Sequence, residues 1–194
     1  DFQYPERHFY APPVLPALTE WSLVLFGTSH MSSMLVSLLA GSATILLVWW
    51  SARRWFGREA GIAAATLAAL SDFHLLYCRT VLTDVLLCFW WLSAVFLIVE
   101  SYRRQHLGWA VAAGLAAGLA WSTKYNGWLP VAIGLAGPIL WALLPDRVWN
   151  ARWLRRRMIE WVIMALTAGI VWTPVWIGLW SRGGYSAVLR NHRR

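Results

Sequence analysis

Met31-Ser-Ser-Met-Leu-Val-Ser-Leu-Leu-Ala-Gly-Ser-Ala-Thr-Ile-Leu-Leu-Val-Trp-Trp50 is a run of 20 residues without a formal charge. As a helix rising 1.5 Å per residue it covers about 30 Å, the thickness of a bilayer's hydrocarbon core. Trp49, Trp50 and Trp55 mark its far end as an interface, and Arg53, Arg54 and Arg58 follow in a short loop. The stretch therefore reads as a membrane-spanning helix with an arginine-bearing end.

Composition extends that reading to the whole chain. With 59% hydrophobic residues, 13% charged residues, a mean hydropathy of +0.50 and 16 Trp in 194 residues, this is an integral membrane protein. Further apolar segments follow the first. One runs from Ala60 to about Leu70 and continues, less cleanly, to Cys78; the others are Val85–Val99, Leu107–Ser122, Trp128–Leu144 and about Trp161–Trp180. Pro130, Pro138 and Pro174 are tolerable inside membrane helices and are candidates for kinks. Gly114 and Gly118 have the G-x-x-x-G spacing that suits close helix packing, a pattern common enough by chance to carry little weight alone. The expected fold is all-α, a polytopic transmembrane helix bundle of about six membrane segments over 31–180. An outer loop over 1–30 precedes it, with a short interfacial amphipathic helix from about Pro13 to Phe26, and 181–194 begins another outer loop. The start at Asp1 and the charged end at Arg194 suggest a piece of a longer protein. No signal-peptide pattern opens the chain. Cys78 and Cys88 sit in apolar surroundings and read as packing residues.

Orientation follows from the basic residues. If Met31–Trp50 runs from outside to inside, ten of the 17 basic residues fall on inner segments, at Arg53, Arg54, Arg58, Arg103, Arg104, Arg147, Arg152, Arg155, Arg156 and Arg157. That is a positive-inside bias, so the net charge of +8 is a topology signal and not a nucleic-acid patch. Inner loops then show no mixture of acids, His and Lys like that of the opposite face.

That opposite face is where chemistry is expected. Asp72-Phe-His74-Leu-Leu-Tyr-Cys-Arg79-Thr-Val-Leu-Thr-Asp84 is a polar island between apolar segments. A charge at a bilayer centre costs about 2.5–3.5 kcal/mol, so such residues lie at an edge, line a wet cavity or pair with one another. Lys124-Tyr125-Asn126, the entry around His8–Pro13 and the loop Arg182–Tyr185 emerge on the same face under this topology. Arg79 and Asp84 have a plainer reading as an ion pair satisfying two interfacial charges, and Lys124 as a snorkelling anchor at a helix end. Asp72 reads as a helix-end polar residue and His74 as a satisfied interfacial histidine. No His, Cys and carboxylate spacing demands a metal.

Three runs carry a family resemblance: Arg53-Arg54-Trp-Phe-Gly57-Arg58-Glu-Ala-Gly61, Leu-Tyr-Cys-Arg79-Thr-Val-Leu-Thr-Asp84, and Gly114…Gly118-Leu-Ala-Trp-Ser-Thr-Lys124-Tyr125-Asn-Gly127. In order and spacing they resemble the polyprenyl-phosphate-sugar-dependent glycosyltransferases of the GT-C class, within it the branch of protein mannosyltransferases and aminoarabinose transferases. Tyr4-Pro5…His8-Phe9-Tyr10-Ala11-Pro12-Pro13 resembles the first outer loop of that branch, and Gly183-Gly184-Tyr185 a later one. The resemblance implies a partial GT-C-like membrane domain and an inverting transfer of a sugar from a polyprenyl (undecaprenyl or dolichyl) phosphate to a protein, lipid or glycan acceptor on the outer face. It implies Arg79 and Lys124 as contacts to the lipid phosphate, with Arg79 and Asp84 as catalytic residues. Asp84 would orient Arg79, or contact the acceptor or a divalent metal. Tyr125, Tyr10 and His8 are the expected substrate contacts.

The chain departs from the family pattern in places. The family's principal base is an Asp in the first outer loop, expected before residue 1. Ala11 stands where the branch often has Lys or His before Pro-Pro, and Asp72 where relatives often have Pro. The partners implied are a sugar donor on a lipid carrier, an acceptor and membrane lipid, with no nucleic acid and no assigned cofactor. Arg-over-Lys and Ala-rich usage points to a GC-rich bacterium, hence to the cytoplasmic (inner) membrane with the active face periplasmic or extracellular. Two other classes fit the composition: a secondary transporter, for which no internal repeat is found, and a non-catalytic polytopic lipid-handling or assembly subunit.

Overall fold

The computed structural model describes residues 12–144 and 150–181. In chain order these form α1 (Val14–Phe26), α2 (His30–Phe56), α3 (Arg58–Ala69), α4 (Asp72–Cys78), α5 (Thr83–Arg104), α6 (Leu107–Trp121), a 3-10 turn (Tyr125–Trp128), α7 (Leu129–Ala142) and α8 (Ala151–Trp180). Among the described residues there is no strand, and the chain is an all-α polytopic membrane helix bundle.

Each of the six apolar segments forms helix, but their lengths differ. By length and composition α2, α5 and α8 can each cross a membrane, and α3 with α4 makes a fourth candidate bent by 61° at its break. The break explains why that segment looked less clean in the sequence. Ser71 ends the continuity, and its side chain caps α4 by accepting the His74 N–H at 3.3 Å. With 15 and 14 residues, α6 and α7 fall short of the about 20 residues that a full span needs. The brief helix expected before the first span is α1, and Ser22 Oγ donates to the Ser32 carbonyl at 2.6 Å to hold it against α2.

Turns between helices are set by local chemistry. Gly57, at φ 101°, reverses the chain between α2 and α3 within one residue, a conformation that L side chains rarely adopt. Asn150 opens α8 by accepting N–H bonds from Arg152 at 3.1 Å and Trp153 at 3.2 Å. The basic run Arg152–Arg157, expected in a loop, is therefore the first two turns of a helix. Arginine is a good helix former, and once Asn150 supplies the cap the run has no reason to stay extended.

The centre of the bundle is built from small residues. Ala94 of α5, Ala116 and Ala117 of α6 and Ala168 of α8 pack together, with Ala113, Ile98 and Met164 forming an adjoining cluster. A Cβ on Gly114 would come within 2.6 Å of the Met164 carbonyl oxygen, and one on Gly118 within 2.5 Å of Val171 Cβ. The G-x-x-x-G pair thus sets the approach of α6 to α8. A second cluster gathers Leu15, Ala40, Cys78, Val85 and Leu86, joining α1, α2, α4 and α5. Large apolar side chains such as Leu39, Leu67, Leu166 and Ile170 point outward, as hydrocarbon solvent permits.

Candidate functional site

The two clusters place the starts of α1 and α5 beside the end of α6. Asp84 lies in the first turn of α5, where the helix dipole favours a carboxylate. Lys124 follows α6 in extended conformation, φ −153° and ψ 146°. Its position is fixed from both sides: its N–H donates to the Ala120 carbonyl at 3.0 Å, and its carbonyl accepts the Gly127 N–H at 2.8 Å. Gly127 rests directly on the Ala120 backbone, leaving no room for a side chain. Across the gap Lys124 Nζ donates to Asp84 Oδ1 at 2.6 Å. The Val14 N–H donates to the Ser122 carbonyl at 3.2 Å, so the Pro12-Pro13 entry ends at the same place.

The pair is exposed for 41% of the lysine side chain and 47% of the aspartate. Ion pairs this open are worth about 0–1 kcal/mol, so they hold little of the fold together and are cheap to exchange. Trp121 stacks on Trp172 of α8 with ring centroids 4.5 Å apart. Beyond that level α8 runs on to Trp180, about 12 Å of further helix. The end of α8 therefore rises past the level of the pair, and the step below it forms a recess.

Arg79 ends α4, five residues before Asp84. The Arg79–Asp84 ion pair of the plainer reading does not form: Asp84 meets Lys124 instead. Among the described residues the exposed Arg79 guanidinium makes neither an ion pair nor a side-chain hydrogen bond. Half-buried Tyr125 opens the 3-10 turn beside Lys124. His74 is satisfied, with Nε2 3.2 Å from the Gly41 carbonyl and 3.5 Å from Cys78 Sγ, and Asp72 is an exposed residue of the first turn of α4. His8, Tyr10 and the Arg182–Tyr185 loop lie outside the described residues. Among the described residues no group of three or more His, Cys, Asp and Glu converges as a metal site would require.

At the other end stand groups that the sequence reading missed. Glu100, 0% exposed, accepts from Arg104 Nε at 2.7 Å and lies 3.4 Å from Arg54 Nε. Glu160, 1% exposed, takes Arg157 Nη1 at 2.5 Å and Arg156 Nε at 3.5 Å. Arg157 is itself fully buried, its guanidinium 5.2 Å from the Tyr102 ring centroid, and Tyr102 donates to the Gly134 carbonyl. This end therefore does mix acids with its arginines, and several of those arginines are structural ties as well as topology signals. Glu100 with Arg104, and Arg156 and Arg157 with Glu160, have the i,i+4 and i,i+3 spacings that could have revealed them.

Membrane-length helices, an exchangeable lysine–carboxylate pair at one end and buried arginine–glutamate ties at the other define a polytopic membrane protein with a charged recess. Residues 10–178 match the family described as dolichyl-phosphate-mannose-protein mannosyltransferase, and the chain belongs to that family. It is also similar to a Bacillus subtilis (strain 168) protein named "Putative mannosyltransferase YkcB", at 31% identity over 113 residues. That similarity covers 58% of this chain and 16% of the relative, so the chain spans a small part of that relative's length. No solved structure matches the chain.

Proposed function

We propose that the chain is part of a membrane glycosyltransferase that moves a sugar from a polyprenyl phosphate to a protein, lipid or glycan acceptor. The observation that carries this reading is the Lys124–Asp84 pair, half-exposed in its recess on the loop side that also bears Arg79. Family membership supports the sugar transfer, and the recess supplies what a departing phosphate needs.

In such a transfer the acceptor hydroxyl attacks the anomeric carbon as its proton passes to the aspartate base that the family resemblance calls for, the bond to the phosphate oxygen breaks with inversion, and the lipid phosphate leaves with the electron pair. Negative charge grows on the phosphate as the bond breaks, so cations fixed beforehand stabilise the transition state. Arg79 offers a planar fork to two phosphate oxygens and Lys124 a compact ammonium. Asp84 holds Lys124 in place before the donor arrives, and the incoming phosphate competes for that ammonium. Tyr125, His8 and Tyr10 are proposed to contact the sugar or acceptor, and the recess to face the periplasmic or extracellular side of the cytoplasmic membrane.

The test is turnover by the full-length protein, reconstituted with a polyprenyl-phosphate sugar and an acceptor. Arg79→Ala and Lys124→Ala are each expected to lower transfer by about 100-fold or more, the scale of losing one preorganised charge-stabilising group. Unchanged transfer in both variants refutes the assignment. Solute flux without transfer would place the protein among transporters.

A further inference from the structure

An open cavity lies at the end opposite the Asp84–Lys124 recess, and the transferase reading makes no use of it. It is an open groove of about 810 Å³ between α2 and α5. Its floor is apolar, formed by Leu46, Leu47, Trp50 and Phe89, and its mouth carries Trp49, Arg53 and Arg54. Ser93, the one hydroxyl among the lining residues, spends its proton on the Phe89 carbonyl at 2.7 Å.

Charge at the mouth is unbalanced. Among the described residues Glu100 is the one carboxylate there, and it already faces two guanidinium groups, Arg104 at 2.7 Å and Arg54 at 3.4 Å. Arg53 adds a third, held only against the Trp49 ring at 5.1 Å. Three positive charges against one negative leave two uncompensated, while Arg58 and Glu59 in the first turn of α3 cancel each other. A ligand that fits must bring negative charge to the mouth and hydrocarbon to the floor. A polypeptide helix with an apolar face would fill the floor but leave both charges unanswered.

We propose that this groove is a binding site for an anionic phospholipid, its phosphate on Arg53 and Arg54 and an acyl chain along Leu46, Leu47 and Phe89. Basic clefts between membrane helices collect anionic headgroups in this way. Arg54 then links the lipid to Glu100 and through it to Arg104, so occupancy tightens the contact of α2 with α5.

The experiment uses the full-length protein, delipidated in detergent and titrated with phosphatidylglycerol or with phosphatidylcholine of the same acyl chains. Native mass spectrometry reads the bound lipid, and thermal unfolding reads the consequence. Phosphatidylglycerol is expected to bind at least about tenfold more tightly than phosphatidylcholine and to raise the unfolding midpoint, whereas inorganic phosphate at the same concentration does neither. Arg53→Gln, which leaves the Glu100 contacts intact, should abolish the preference, and Leu46→Trp should block the groove. Arg155→Gln, an exposed arginine of α8 at the same end, should change nothing. Equal binding of the two lipids, an unaltered preference in Arg53→Gln, or the same shift with inorganic phosphate overturns the proposal. So does a groove occupied by another helix of the full-length chain, seen as Leu46→Trp destabilising the delipidated protein.

Discussion

Lys124 and Glu160 are both ion-paired at hydrogen-bond distance, yet their surroundings assign them opposite work. The Lys124–Asp84 pair is nearly half exposed, and a pair of that kind contributes about 0–1 kcal/mol. Lys124→Gln and Asp84→Asn are accordingly expected to leave the unfolding midpoint in detergent almost unchanged while lowering sugar transfer about 100-fold. Glu160 takes the same kind of bond inside a fully buried cluster. Glu160→Ala strands the buried charge of Arg157, which costs about 3–5 kcal/mol, so this variant should unfold far more readily when measured the same way. The sequence showed half of this contrast. Lys124 stood out as the single lysine in an arginine-rich chain, but its partner lies 40 residues away, and local spacing favoured Arg79 for Asp84. Glu100 and Glu160 went unread because nothing in a linear sequence shows that a neighbouring helix will cover them.

At the scale of helices, the small residues of α6 decide where Lys124 stands. Because Gly114 and Gly118 let α6 lie against the α8 backbone and Val171, a larger side chain must push the two apart. Gly118→Leu is expected to destabilise the protein by about 1–3 kcal/mol, as overpacking does, and to lower transfer as well by displacing the lysine one and a half turns later. Gly169→Ala is the control. Outside its own stretch of helix nothing lies within 4 Å of the added methyl, and no proline directly follows it, so the helix-propensity gain of about 0.5–1 kcal/mol should appear in the unfolding midpoint with transfer unchanged. Uncharged apolar runs marked each of the six helical segments, since such runs are the strongest signal a membrane sequence carries. It could not give the 61° bend after Ala69 or the helical start of the arginine run, which rest on single capping side chains, Ser71 and Asn150. The G-x-x-x-G pair was visible but uninformative, because the same spacing means close packing only if a partner helix lies opposite it.

Across the whole molecule, chemistry is divided between two ends. One carries the Lys124–Asp84 recess with Arg79, and the other gathers Arg53, Arg54, Arg103, Arg104 and the start of α8. Asp84 and Arg104 are twenty residues apart on one helix, about 30 Å, which matches the hydrocarbon core and puts the two ends at opposite surfaces. The recess is set below the surface because α6 and α7 are short, whereas α8 continues about 12 Å past Trp172. Single cysteines in a Cys78→Ala, Cys88→Ala background test this arrangement. In intact cells a membrane-impermeant maleimide should label Asn126→Cys, in the turn beside Lys124, and should label Arg155→Cys only after permeabilisation. Ser181→Cys, at the far end of α8, should react from the same side as Asn126→Cys but faster, since it stands clear of the recess. Labelling of Asn126→Cys and Arg155→Cys from one side would mean that α7 does not carry the chain across. It would also remove the separation on which both the donor site and the lipid groove depend.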